Sequence, residues 1–254
     1  MNRPLLLLTL SAFLGAGLMT TAAQIGLAPE TEEMRGPVPR FPDGTVDLIG
    51  AWQGGGPIQD MEKQGNFKPG EIPLLPWAKE LMDSRKITED PHAYCLPMGI
   101  PRMAGDYPWR FIQYRKSHIF LLYEGNTHSY RQIFMDGRKH PEDPDLTWFG
   151  HSIGTWEGDT LVIDTVGFND RFWFDRRGHP HTEQLHTIER WTRKDYGHME
   201  NRITIDDPGA YSRPFTLTFP ASLMQGELME YICEENNQDA AFIEGPAAPG
   251  AAVQ

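Results

Sequence analysis

The sequence predicts an all-β fold, an antiparallel β-barrel of about eight or nine strands, and three observations lead there. From residue 111 onward, short runs rich in β-branched and aromatic residues recur at close spacing, separated by Gly, Asn, Asp or Pro turns. Within the runs, apolar and polar residues alternate. Met199, Asn201, Ile203 and Ile205 oppose Glu200, Arg202, Thr204 and Asp206, and Phe215, Leu217 and Phe219 oppose Thr216 and Thr218. The 25 glycines and 21 prolines among 254 residues leave little room for long helices. Such strands form a barrel or a sandwich, and the barrel is preferred here because one of about eight strands can hold a small ligand.

Taken in order, residues 1–23 read as a cleaved signal peptide. Arg3 supplies the positive start, Leu5 to Met19 the apolar run, and Thr21-Ala22-Ala23 the small-residue cleavage site near Ala23. That run is too short to span a bilayer, for which roughly 20 residues are needed. Residues 24–110 form a Pro-rich wrap with a first strand near 47–52 and one helix over 76–85, where Pro76 sits at an early helical position. Gly54-Gly55-Gly56 reads as a flexible turn after that strand. The barrel body spans 111–237, one domain with the wrap, with strands expected over 111–123, 127–135, 148–156, 159–166, 185–194, 199–206, 213–219 and 226–233. Residues 238–254 read as a disordered tail.

The formal net charge of −12 removes the basic face that nucleic acid requires and disfavours anionic membranes. The partner that remains is a small molecule, and the expected location is periplasmic or extracellular. Cys95 and Cys233 are the only cysteines. In an oxidising compartment they form one disulfide between the wrap and the last strand, or stay as two separately buried thiols.

The motifs Asp136-Gly137-Arg138-Lys139-His140-Pro141 and Gly154-Thr155-Trp156-Glu157-Gly158-Asp159-Thr160-Leu161-Val162-Ile163-Asp164-Thr165 resemble those of a large family of exported bacterial proteins. Gly167-Phe168-Asn169-Asp170, Pro180-His181-Thr182-Glu183, Glu189-Arg190 and the run from Tyr231 to Asn237 continue the likeness, which covers roughly residues 90–237. The resemblance implies export and a shared fold, and it carries no catalytic residue with it. Gly50-Ala51-Trp52 is similar to the Gly-x-Trp that plugs one end of lipocalin-like barrels; a tryptophan over a tight glycine turn would read the same.

Candidate chemistry concentrates between residues 136 and 189, which hold five of the nine histidines. His151 shares a strand face with Phe149 and Ile153, where a histidine is tuned near neutrality, and reads as general acid or base. Asp164 or Glu189 would orient it, Arg138 would stabilise an anion, and His181 is the second candidate for proton transfer. Trp148, Phe172, Trp173, Asn169 and Arg131 are the expected substrate contacts. Phe172-Trp173-Phe174 lies in a loop over 167–184, read either as a lid or as a loop clamped onto its own barrel. Arg131, Arg138 and Arg190 could instead pair with carboxylates and lock the barrel ends. No Gly-x-Ser-x-Gly elbow, phosphate loop or dinucleotide fingerprint occurs, so no cofactor is expected.

These residues point to cofactor-independent acid–base chemistry of lyase, isomerase or hydratase type on an apolar, aromatic or sugar-like substrate in a barrel pocket. A lipocalin-like binding protein without turnover is the first alternative. The second is a metal-dependent hydrolase built on His140, His151 and His181.

Overall fold

The computed structural model describes residues 32–114, 116–125 and 129–235. The expected leader over 1–23 and the tail over 238–254 lie outside them. Nine strands close into one barrel in chain order: β1 (Ala51–Gly54), β2 (Trp109–Tyr114), β3 (His118–Tyr123), β4 (Tyr130–Phe134), β5 (His151–Glu157), β6 (Thr160–Val166), β7 (His186–Arg193), β8 (His198–Asp206) and β9 (Phe215–Leu223). β9 returns to pair with β1, Trp52 opposite Leu223. The closing strand thus comes from the N-terminal wrap, and each strand has a neighbour on both sides.

Three expectations are corrected. The run over 111–123 is two strands, β2 and β3, hairpinned with Tyr114 opposite His118. Odd-numbered residues face inward on both sides of that turn, so the period-two pattern passes through it unbroken. The expected strand over 226–233 does not form, because closure of β9 on β1 leaves no edge for it to join. The segment is held instead by the Met229 N–H donating to Glu124 Oε2 at 2.8 Å and by a disulfide between Cys233 and Cys95. Cys233 therefore ties the wrap to the segment after the last strand. Finally, β4 and β5 pair in parallel, through only Ile133 with Ser152 and Phe134 with Ile153. A parallel pair needs a long crossover, here residues 135–150 running over the outside of the wall.

The expected helix forms as α2 (Pro76–Ser84), proline first, and two single-turn helices, α1 (Met61–Gln64) and α3 (Met103–Asp106), join it in the wrap. No helix among the described residues is long and apolar enough to cross a membrane.

Side chains fill the barrel. Trp109, Phe111 and Trp191 meet edge to face at 4.9–5.6 Å, each fully buried, and each such ring contributes about 1.5–3 kcal/mol of burial. Gly55 is no flexible hinge: at φ 104° it passes so close to Trp191 that a Cβ would lie 2.6 Å from the ring. Trp52 seals one end. Its Nε1–H donates to the Leu48 carbonyl at 3.0 Å and the Arg193 guanidinium lies 4.9 Å from its ring. The other end is closed by the loop between β6 and β7, whose Phe168, Phe172 and Phe174 pack with Ile205, Tyr211 and Phe215. The loop is clamped onto its own barrel, the second of the two readings made for it. The central lumen is thus occupied by side chains, and a ligand site has to be sought in the wall.

Candidate functional site

The wall opens where β4 and β5 separate. Only two residue pairs join these strands, and Gly150, at φ 64°, turns the chain into β5 where a Cβ would stand 2.6 Å from the Val166 carbonyl. Below that junction lies a cleft of about 440 Å³, lined by Tyr130, Arg131, Phe134, Pro141, Pro144, Trp148, Phe149, His151 and Ser152 among others. Its walls are mostly rings and prolines. Residues from both faces of the barrel wall reach it: His151 and Phe134 point outward from their strands, Arg131 and Ser152 inward.

On the outer face, four side chains from four segments form a hydrogen-bonded chain. His151 Nδ1 lies 2.8 Å from His140 Nδ1, His140 Nε2 lies 3.0 Å from Asp164 Oδ1, and His186 Nε2 reaches the same oxygen at 2.8 Å. An ionised carboxylate only accepts, so His140 and His186 each donate from Nε2. With Nδ1 of His140 as the acceptor, His151 donates to it from its own Nδ1. That assignment leaves a lone pair on His151 Nε2, which has no hydrogen-bond partner among the described residues. The His186 hydrogen bond chiefly holds Asp164 below the usual carboxylate range, and Asp164 in turn raises His186. Burial lowers His151, helped by His140 and Arg138. A neutral His151 near pH 7 is the result.

The parity of β6 and β7 explains this meeting. Asp164 lies opposite Ile188, and both residues face outward, as does His186 two positions earlier. His140 arrives from the crossover loop. Phe134 stacks on His151 at 5.1 Å and 24°, and Arg138 lies 3.8 Å from the Phe134 ring centre while its Nη2 meets Asp136 at 2.5 Å. Arg138 is thus engaged by a carboxylate and sits behind Phe134, outside the cleft lining.

The inner face carries a second network. Arg131, 1% exposed, donates from Nε to Ser152 Oγ at 3.0 Å and from Nη2 to Thr165 Oγ1 at 2.7 Å. Its Nη1 lies 2.5 Å from Glu189 Oε2, and Glu189 Oε1 accepts the Trp191 Nε1–H at 3.2 Å. Glu189 and Asp164 are therefore on opposite sides of the wall, and only Asp164 belongs to the histidine chain.

The other expected residues lie elsewhere. Asn169 is buried, its N–H donating to the Thr147 carbonyl at 2.9 Å, so that it braces the crossover behind the cleft. Phe172 and Trp173 are buried in the end plug. His181 sits there too, its ring centre 3.9 Å from that of Phe172 and 5.0 Å from that of Phe174. Of the proposed metal set, only His140 and His151 touch, and through the nitrogens that hydrogen-bond each other. Asp60, Asp175 and His179 do converge, within 4.8 Å. Asp175, however, accepts four hydrogen bonds, from the Met61, Gly178 and His179 N–H groups and from His179 Nδ1. Its lone pairs are committed to holding the plug. Tyr123, Phe134 and His186 complete the two networks without having been singled out from the sequence.

Burial drives the His181 pKa down to about 4. A folded value below the unfolded one means that this stability is complete above the ordinary histidine pKa, near 6.5, and is lost as pH falls towards 4. The expected loss at pH 4 is about 3 kcal/mol. Urea titrations should therefore show the stability gap between the native chain and a His181→Leu variant narrowing by that amount from pH 7 to pH 4. His186 has the opposite sign, its raised pKa adding stability at low pH that fades as pH rises through the folded value.

A wider cleft of about 880 Å³ at the Trp52 end, lined by Phe41, Pro42, Gln113, Lys116, Met135 and Trp156 among others, carries no comparable chain of titratable groups. Comparison of the chain with protein-family models, with curated proteins and with solved structures found no match.

Proposed function

We propose that the β4–β5 cleft binds a small ring-bearing organic molecule and that His151 moves a proton on it, in a cofactor-independent lyase, isomerase or hydratase step. The observation that carries this reading is the hydrogen-bonded chain Asp164–His140–His151, which ends on a residue of the cleft lining. His151 Nε2 would take the substrate proton. The positive charge then passes through Nδ1 to His140, which shares it with the Asp164 carboxylate. Such a base accelerates a proton transfer by about 10²–10⁴-fold. The rings and prolines of the lining suit an apolar or aromatic body. The Cys95–Cys233 disulfide, the leader-like composition of residues 1–23 and the motif resemblance support a site of action outside the cytoplasm.

The test is deuterium wash-in. The mature protein is incubated in D₂O with a panel of ring-bearing hydroxy and keto compounds, and exchange at each C–H is followed by proton NMR. One class of compound is expected to exchange, with the rate falling about a hundredfold in His151→Asn and about tenfold in Asp164→Asn. A compound that binds the cleft, shows no exchange and keeps its affinity in His151→Asn would leave a binding protein without turnover.

A further inference from the structure

Behind the cleft, four buried polar atoms crowd the inner face with hydrogen-bonding capacity left over: Tyr123 Oη, Arg131 Nη1, Thr187 Oγ1 and Glu189 Oε2. Arg131 Nη1 and Glu189 Oε2 touch as an ion pair without the alignment of a hydrogen bond. Tyr123 neighbours both charges, and burial pushes its phenol well above the usual range, so it is a neutral donor. Thr187 stands directly opposite Thr165, which already holds Arg131 Nη2. Unmet buried polar groups of this kind are rare in a finished core. Here they lie on the inner faces of β3, β4 and β7, and the Arg131–Glu189 pair joins β4 to β7.

The cluster is continuous with the cleft. Arg131 and Ser152 belong to the inner network and also line the cleft, and Phe149, another lining residue, stacks on Tyr123 at 5.7 Å and 10°. We propose that this cluster is the subsite for the polar head of the cleft's ligand, and that it selects an uncharged head which both donates and accepts, such as a hydroxyl or a primary amide, over a carboxylate. The inference rests on the cleft being the ligand site. Its chemistry follows from charge balance. Arg131 is already neutralised by Glu189, so an arriving anion would be buried without a counter-ion, at a cost no single hydrogen bond offsets. With the Tyr123 oxygen beside Arg131, what remains open is a phenolic O–H, a threonine hydroxyl and a carboxylate lone pair. A neutral donor–acceptor group satisfies both kinds at once.

Benzyl alcohol, benzamide, toluene and benzoate serve as probes, titrated into the mature protein and followed by NMR. Hydrophobicity alone would favour toluene, so the expected order is diagnostic: benzyl alcohol and benzamide bind at least about fivefold more tightly than toluene or benzoate. Tyr123→Phe and Thr187→Val, each near-isosteric, should bring the two polar probes to the level of toluene while leaving toluene unchanged. Equal affinities for all four probes, weakened together by Trp148→Ala, overturn the subsite and keep the cleft. Tightest binding of benzoate also overturns it. Binding indifferent to Trp148→Ala places the ligand elsewhere and overturns the cleft reading itself.

Discussion

Glu189→Ala is expected to destabilise the folded chain by about 3–5 kcal/mol, because it strips a buried guanidinium of its only counter-ion among the described residues. Arg131 and Glu189 are 1% and 2% exposed, so water cannot replace the lost carboxylate without opening the wall. Ser152 and Thr165 would still accept from Arg131, but hydroxyl dipoles do not neutralise a charge at low dielectric. For a chain of this size the loss lowers Tm by on the order of 10 °C. The pair as a whole is a different matter. Removing both charges in Arg131→Met/Glu189→Leu should recover most of the loss, since desolvating two ions offsets most of their attraction. Urea unfolding of the single and double variants decides. A single-variant loss below about 1 kcal/mol would mean that the wall relaxes around the lone arginine. The same experiment separates stability from selectivity, because Tyr123→Phe should alter probe affinity with little effect on the unfolding midpoint.

The sequence made the inner and outer faces of β6 to β9 legible, since alternation assigns each residue to a side. It placed Asp164 on the same face as Val162 and Val166, with Glu189 beside Trp191, as observed. What alternation cannot supply is which face is the lumen, nor which strands are neighbours. His151 and Asp164 share an apolar-looking face that proves to be the outside of the barrel, made half-buried by the crossover loop over 135–150. That loop has no periodicity, so its delivery of His140 to Asp164 was invisible. His186 was nearer to hand: once β6 and β7 are paired, it falls on the face of Asp164. The parallel seam was hidden for a further reason. Period-two patterning is identical in parallel and antiparallel strands, and only the length of the connection distinguishes them. The aromatic triplet at 172–174 left two readings open because a plug and a lid need the same residues. Packing against Ile205, Tyr211 and Phe215 is a tertiary fact.

Removing the disulfide, as Cys95→Ala/Cys233→Ala, is expected to cost up to about 5 kcal/mol, mostly through the unfolded chain. The bond joins residues 138 apart in sequence, and the segment between them carries every strand from β2 to β9. Closing so long a loop removes about 5 kcal/mol of chain entropy from the unfolded state by the loop-closure estimate, of which 2–4 kcal/mol is commonly realised. The folded side should change little. The segment after β9 keeps the Met229 N–H on Glu124 at 2.8 Å, and the Tyr231 ring stays 5.2 Å from that of Tyr107. The variant should therefore retain the near-ultraviolet spectrum of its tryptophans and the probe affinities of the cleft, while its urea midpoint falls. A loss below about 1 kcal/mol would show that the reduced unfolded chain already keeps residues 91–107 close to 224–235. A loss of cleft binding with the barrel intact would assign the bond a second task. Gly99, four residues beyond Cys95, lies so close to Phe172 that a Cβ there would stand 2.3 Å from the ring, and through that contact the wrap presses on the plug that closes the end of the barrel.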